Sequence, residues 1–264
     1  MSNKNITIIL PVHTVEGDYK EMLKMALESV DNFHNDVKVK IVCPTDVKNK
    51  LNDFEFGQKL EVEVVSNTSK DTDFCSQVNL GISVCDTEWF SILEIDDQYR
   101  PIWLSLVNEY VKHNPDVDVF LPVVRDINTE GKFISFTNES TWAYGFSEKQ
   151  GFLDNEVLLD FQNYQTSGGL FRTNVIKENG NFKENIKLTF LYEFLLRLTH
   201  NGVKILTLPR IGYQHVNFRE DSLFWKYKNN EETKLSDDEV KFWLETAKKE
   251  FFFKNKRDVN YTTN

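Results

Sequence analysis

The sequence predicts an α/β protein, a mostly parallel sheet flanked by helices and followed by a helical C-terminal extension. Three observations predict it. Short apolar runs rich in β-branched residues recur between longer segments of helical periodicity. The runs stop at proline or at Ser-Asn, and no repeat, low-complexity segment or Gly/Ser linker breaks the succession. Strands separated by helices return parallel through crossover connections.

In chain order, "NITIILPV" (5–12) is a short buried strand ended by Pro11. "DYKEMLKMALESVDNF" (18–33) places Met22, Leu23, Met25, Ala26, Leu27, Val30 and Phe33 roughly at helical spacing, which makes it an amphipathic helix. "VKVKIVCP" (37–44) and "LEVEVVSN" (60–67) alternate and then stop, which makes each a strand. "FCSQVNLGISVC" (74–85) has helical spacing and "EWFSILEI" (88–95) is the next strand. "PIWLSLVNEYVKHNP" (101–115) is a helix with proline in its first turn and Asn-Pro as its stop, and "VDVFLPVVRDI" (117–127) returns as a strand. Residues 128–165 are irregular and aromatic, with "TWAYGF" at their middle. Thereafter 168–180 read as strand or turn into helix, 189–202 as helix, 203–209 as strand, and 236–253 as an amphipathic helix capped by "SDDE".

Composition narrows the function classes. With 40% hydrophobic residues, 27% charged residues and 21 phenylalanines, the chain has ample material for a globular core, which excludes disorder. A net charge of −10 argues against a broad polyanion-binding surface, so nucleic acid is not an expected partner. Runs such as "ITIILPV" are too short to cross a bilayer, and "MSNKNITIIL" lacks the features of a secretory signal. A cytoplasmic location is expected, with a peripheral membrane position as the variant. Cys43, Cys75 and Cys85 are odd in number and lack metal-type spacing, so reduced, buried thiols are expected.

The most informative stretch is "WFSILEIDDQYRP" (89–101), where a core strand ends in Glu94, Asp96 and Asp97. In open parallel sheets ligands bind beyond the carboxyl ends of the strands. Carboxylates on a short turn there can hold Mg²⁺ or Mn²⁺ with positions left for substrate phosphates. The plain alternative is a solvated acidic turn that caps the helix beginning at Pro101.

Several segments in succession resemble a family 2 glycosyltransferase of the Rossmann-like GT-A fold. "ITIILPVHT" resembles that family's opening strand and loop, "QVNLGI" its Asn-x-Gly helix with Asn79, and "WFSILEIDDQYRPIWL" its strand with an Asp-x-Asp-Asp motif. "SGGLFRTNVIKENGNFKENIKL" resembles its acceptor-side segment, and "YEFLLRLTHNGVKILTLPRIGYQH" its closing helix, strand and histidine. The resemblance implies a catalytic domain over 1–217, with a nucleotide-sugar half to about 127, an acceptor half from about 128, and an extension over 218–264 packed on the core. It implies a nucleoside-diphosphate sugar as donor and Mn²⁺ or Mg²⁺ as cofactor. Pro11, His13 and Thr14, with Glu16 beyond, would touch the nucleoside. Asp96 falls on the metal-ligand acid, Glu94 on the acid near the ribose, and Asp97 on the acid that follows, a candidate catalytic carboxylate. His215 would be a further metal ligand or bond a phosphate, and Arg219 would meet the diphosphate or lie on the surface. Gly168 and Gly169 would let backbone approach the sugar or form a simple tight turn.

The chain departs from the family pattern at two places. Where the family carries acids after its second strand, this sequence has Cys43 and Pro44, leaving Asp46, or Asp71 and Asp73 in "SKDTDF", to meet the base. Where the family places a Glu-Asp pair that supplies the general base, this sequence has Phe190 and Leu191. Glu193 is the nearest carboxylate. Among Phe190, Tyr192, Phe194 and Leu195 its pKa would rise toward neutrality, which suits a base, while a plain ion pair with Arg197 four residues on is the other reading. Trp142 and Tyr144 would stack on a sugar or pack in the core. Phe242, Trp243, Phe251 and Phe252 are expected to pack on the catalytic domain rather than on a membrane.

The expected function is therefore metal-assisted glycosyl transfer, inverting, from a nucleotide-sugar to a hydroxyl of a glycan, lipid-linked sugar or protein. The alternatives are a degenerate relative that binds without turnover and, as a minor one, a phage-type transferase acting on hydroxymethylated DNA bases. A nucleotidyltransferase is disfavoured because "LPVHTVEGD" lacks a Gly-rich, basic phosphate loop.

Overall fold

The computed structural model describes residues 5–31, 33–56, 59–69, 72–220 and 222–262. The first half runs β1 (Ile6–Pro11), α1 (Tyr19–Asp31), β2 (Val37–Pro44), α2 (Thr45–Leu51), β3 (Val62–Asn67), α3 (Phe74–Ser83), β4 (Trp89–Ile92), β5 (Gln98–Tyr99), α4 (Trp103–His113) and β6 (Val119–Ile127). The second runs β7 (Phe133–Thr137), a 3-10 turn (Glu139–Trp142), β8 (Phe152–Leu153), α5 (Asn155–Asp160), β9 (Leu170–Arg172), α6 (Thr173–Asn179), α7 (Phe190–His200), β10 (Ile205–Val216), α8 (Leu223–Asn229) and α9 (Asp237–Glu250). Among the described residues no helix is long and apolar enough to cross a membrane.

One sheet joins these strands in the order β3-β2-β1-β4-β9-β6-β10-β5, with β7 beside β6 and β8 beside β10. The pairs β1–β2, β2–β3, β1–β4 and β6–β10 are parallel, while β9 runs antiparallel between β4 and β6. The chain steps outward from β1 through β2 to β3, then returns to place β4 on the other side of β1. That reversal opens a crevice beyond the carboxyl ends of β1 and β4, where such sheets bind ligands.

Every residue of β1 is buried because helices cover both faces of the sheet. The two-residue period of a strand divides them: Ile6, Ile8 and Leu10 join α1 and α4 in one core cluster, and Ile9 joins α3, α6, α7 and α9 in the other. The C-terminal helix belongs to that second cluster through Trp243, Ala247 and Phe251, as its amphipathic sequence requires. Its N-terminus is closed by the reciprocal Ser236–Glu239 capping box.

The structure adds elements that the periodicity did not announce. Helix α2 buries only Val47 and Leu51, and α8 buries no residue, so neither writes an apolar stripe long enough to read. The strand expected over 203–209 continues to Val216, and Pro209 is accommodated where the register with β6 shifts between Thr207 and Ile211.

The fit of α3 on β1 depends on Gly81, where an added Cβ would lie 2.5 Å from Cγ2 of Ile9. Overpacking of this kind costs about 1–3 kcal/mol, against a helix-propensity gain of about 1 kcal/mol for glycine to alanine. Gly81→Ala is expected to lower the urea midpoint of unfolding without changing the slope of the transition.

Candidate active site

Strands β1 and β4 are parallel neighbours, with Ile9 opposite Ile92, so the residues that follow each strand emerge side by side. Pro11 and His13 leave β1, and Glu94, Ile95 and Asp96 leave β4, all lining a cavity of about 290 Å³. His215, Val216 and Asn217 reach it from β10; Arg219 follows. Phe190 and Leu191 of α7 and Leu223, Phe224 and Lys226 of α8 make an opposing, largely apolar wall. Phe190 and Phe224 stack across it with ring centroids 6.1 Å apart.

The acids do not form a solvated turn. Asp97 is 1% exposed. Its Oδ1 accepts the Val216 backbone N–H at 2.9 Å, and its Oδ2 lies 3.0 Å from Nδ1 of His215. Glu94 Oε1 accepts the Ser167 hydroxyl at 2.6 Å, while the Glu94 backbone N–H donates to the Tyr213 hydroxyl at 3.0 Å. Asp96 turns into the cleft, where the Arg219 guanidinium meets its Oδ2 at 3.1 Å. Arg219 also lies over the Tyr19 ring, 5.1 Å from its centroid.

Crowding these charges is costly, and the proton equilibria show it. Burial, then the charges of Asp97 and Glu94, push Asp96 up to about 7, with Arg219 and His215 pulling the other way. Glu94 is raised by burial and by Asp97. Burial disfavours a charged His215, but Asp97, followed by Glu94 and Asp96, outweighs it and raises the imidazole to about 10. Two carboxylates pushed toward their protonated forms, Glu94 and Asp96, make a setting to which a cation would add favourable charge.

The donor set fits a divalent ion. Glu94, Asp97 and His215 each offer a ligand atom, all within 4.8 Å of one another. Two carboxylates with one imidazole suit Mn²⁺, and the oxygens alone suit Mg²⁺. The sequence pointed to Asp96 and His215 as ligands; the structure gathers Glu94 and Asp97 around His215 and places Asp96 beside them, facing Arg219.

The sequence profile described as "Glycosyl transferase family 2" matches residues 7–179, most of the chain. The chain belongs to glycosyl transferase family 2. Among curated proteins no sequence gives a significant match. Solved structures share its fold. S. aureus TarS residues 1–349 in complex with UDP-GlcNAc aligns at a TM-score of 0.62 with 14% identity, over 86% of this chain and 63% of that one. The same protein in complex with UDP gives 0.58 and 14%, over 82% and 61%. A longer S. aureus TarS structure gives 0.56 and 14%, over 80% of this chain and 36% of that one. This chain therefore spans about three-fifths of the shorter neighbour's length, and the likeness is one of α/β fold.

Within this family 2 chain the other candidate residues divide sharply. Pro11, His13, Asp73, Glu94, Asp96, His215 and Arg219 share the cavity, and Asp97 lies directly beneath it. Thr14 and Glu16 turn away: the Thr14 hydroxyl accepts the Glu16 N–H at 3.2 Å, and Glu16 pairs with Lys50. Asn79 pins the loop before α7 to α3, bonding Phe182 N and O at 3.0 and 2.9 Å and the Glu184 carboxylate at 3.0 Å. Asp71 falls outside the described residues. Trp142 donates its indole N–H to Thr207 O at 2.9 Å, and Tyr144 is wholly exposed.

Gly168 and Gly169 are buried rather than open to the cleft. A Cβ on Gly168, whose φ is +79°, would fall 2.4 Å from Cδ2 of Tyr213, and one on Gly169 would fall 2.9 Å from Leu121. Their glycine identity answers to side-chain packing.

Glu193 requires the largest correction. It is wholly buried and lines no part of the cleft. Its carboxylate takes Arg197 Nε at 2.8 Å and Nη2 at 3.1 Å, and Lys183 Nζ lies 3.0 Å from Oε1. The remaining Arg197 donors reach the carbonyls of Asn179, Gly180 and Asn181 at 2.6, 2.7 and 2.8 Å. A carboxylate neutralised by two cations, with no path to the cleft, has no acceptor proton to take. Leu191, in contrast, does line the cavity. Gln77, which the sequence left unremarked, sits behind His13 with its Nε2 2.9 Å from Nδ1.

Glu193→Gln leaves Lys183 and Arg197 facing a neutral amide. Removing one partner of a buried ion network costs about 3–5 kcal/mol. A loss of that size in chemical denaturation, with nucleotide affinity of the folded protein unchanged, is the expected outcome; unchanged stability with lost turnover would restore a catalytic role.

Proposed function

We propose that the protein transfers a glycosyl group from a uridine-diphosphate sugar to an acceptor, with inversion, using a divalent ion held at the end of β4. The gathering of Glu94, Asp97 and His215 around one point of the cleft carries this reading. The S. aureus TarS structures hold UDP and UDP-GlcNAc on the same fold, which supports a uridine nucleotide as donor.

Glu94 and Asp97 would offer oxygens to the ion, and Asp97, which engages Nδ1 of His215, would leave Nε2 as the nitrogen to present. When bound, the ion supplies Lewis-acid charge to the departing diphosphate. Arg219, steadied by Asp96 and the Tyr19 ring, carries a second positive charge suited to a phosphate oxygen. Phe190, Leu191, Leu223 and Phe224 shield the cleft from water and strengthen these interactions. A glycan, lipid-linked sugar or protein hydroxyl remains the proposed acceptor class, and the apolar wall supplies no group to take its proton.

That last feature favours a second reading, a family member that binds the donor without transferring it. Leu191 on the cleft wall and Glu193 locked in its ion network support it.

Titration with UDP-sugars in the presence and absence of Mn²⁺, followed by product analysis with glycan and lipid-linked acceptors, tests both. The expected outcome is Mn²⁺-dependent binding that weakens at least tenfold, about 1.4 kcal/mol, in Asp96→Ala and His215→Ala, with transfer giving the inverted anomer by NMR. Binding with neither transfer nor hydrolysis supports the second reading, and absence of any metal-dependent nucleotide binding overturns both.

A further inference from the structure

Past the cover of its helices the sheet carries an open face. Leu121 on β6 is buried in the second core cluster, whereas Arg125, four residues on and on the same side, is only half-buried. The register across β7, β6, β10 and β5 sets Phe136 beside Arg125, Arg125 beside Gln214, and Gln214 beside Gln98. Cross-strand partners point to one side of a sheet, so these four side chains form a row. Arg125 Nη1 donates to Gln214 Oε1 at 3.1 Å, and Gln214 Nε2 approaches Gln98 Oε1 at 3.4 Å. Two residues further along the strands a second row sets Phe133 beside Ile127 and Ile127 beside Val216.

This face runs into the cleft. Val216 lines the cavity, and the neighbouring Asn217 N–H donates to the Ile127 carbonyl at 2.7 Å. At the other end of β7, Asn138 exchanges hydrogen bonds with the backbone of Gln165 at 2.9 Å in each direction, and Gln165 also lines the cavity.

Two features suit the face to a ligand. Phe133 and Phe136 are three residues apart and would fall on opposite sides of a regular strand. The register with β6 shifts between Asp126 and Ile127, and this irregularity brings the ring centroids within 4.8 Å of each other. Both rings stay open to solvent, 50% and 39% exposed, although apolar groups gain by burial. Arg125 directs its Nη1 proton to the neutral amide of Gln214 rather than to a carboxylate, and a guanidinium has further donors to offer.

We propose that this face is the docking platform for the acceptor and that the acceptor is an oligosaccharide. The inference rests on the glycosyl-transfer reading above and names the substrate class that meets it. A sugar has C–H faces that stack on aromatic rings, and hydroxyl edges that need donors and acceptors. The face supplies both side by side: two rings, then a guanidinium and two amides. Four neighbouring strands span about 14 Å, so the platform accommodates several linked sugars and reaches the cleft at Val216. A lipid chain would leave Arg125 and the two glutamines unsatisfied against hydrocarbon. A net charge of −10 opposes both an anionic membrane and a second copy of the chain.

Binding of the full chain, with UDP and Mn²⁺ present, to an immobilised panel of defined oligosaccharides tests the proposal, followed by calorimetric titration of the one bound best. Phe133→Ala with Phe136→Ala, and separately Arg125→Leu, should weaken that oligosaccharide at least about tenfold, while UDP affinity stays within about twofold. Both phenylalanines are exposed, so their double variant keeps the fold and decides alone should Arg125→Leu not fold. A wild type that binds UDP but no oligosaccharide, or an oligosaccharide affinity unmoved in the phenylalanine variant, overturns the proposal. So does binding of phosphatidylglycerol vesicles, unglycosylated Ser/Thr peptides or a second copy that the same substitutions abolish. A wild type that binds oligosaccharide through this face yet binds no UDP-sugar overturns the uridine-diphosphate reading; the acceptor role then falls, and the glycan-binding face stands.

Discussion

Asp97 ties the cleft together. Its carboxylate, shut off from solvent, accepts the backbone N–H of Val216 and faces the ring of His215, so the turn after β4 is locked to the far end of β10. Those residues lie 118 and 119 positions apart in sequence. The pairing of Gln98–Tyr99 with Tyr213–Gln214 brings the strand end beside the acids, and the Asp97 contact then engages the histidine ring at Nδ1. The candidate ligand set of Glu94, Asp97 and His215 is thus built around a carboxylate that also serves as a structural anchor.

Around that anchor the protein tolerates an unfavourable charge distribution. Burial and the neighbouring carboxylates raise the proton affinity of Glu94 and Asp96, and Arg219 and His215 offset the repulsion only in part. A fold that needed only stability would have placed apolar groups here, as it does one layer below with Tyr99 and Tyr213 packed edge to face. Departures from local stability of this kind mark the places where function overrides packing. The cleft joins such an acidic pole to an apolar wall, and a phosphorylated sugar with an extended acceptor has the same two-sided character.

The sheet was legible because β-branched runs and proline stops write their period directly into the chain, as in "ITIILP" and "VKVKIVCP". The acids after β4 were legible for the same reason: they follow a strand whose end could be located. What could not be read depends on partners distant in sequence. Glu193 looked like a displaced base because "YEFLLRL" does not reveal Lys183 or the carbonyls that surround Arg197. Gly168 and Gly169 looked like a ligand approach because nothing local announces the Tyr213 ring. Gln77 gave no signal at all. It is one polar residue on a mostly apolar helix, and its meaning comes from Thr72 and His13.

The buried ion network also bears on how the chain reaches its native state. Lys183 donates to the Glu250 carbonyl at 2.6 Å, the Thr189 hydroxyl donates to the Trp243 carbonyl at 2.8 Å, and Trp243, Ala247 and Phe251 complete the core beneath α7. During synthesis, the second face of the sheet must therefore wait for residues translated almost at the end of the described chain. Until they leave the ribosome, Lys183, Glu193 and Arg197 stand in a half-covered interior, and the acidic pocket on the opposite rim rests on an unfinished foundation. Helix α9 closes this core, and a nascent chain lacking it is a natural client for chaperones.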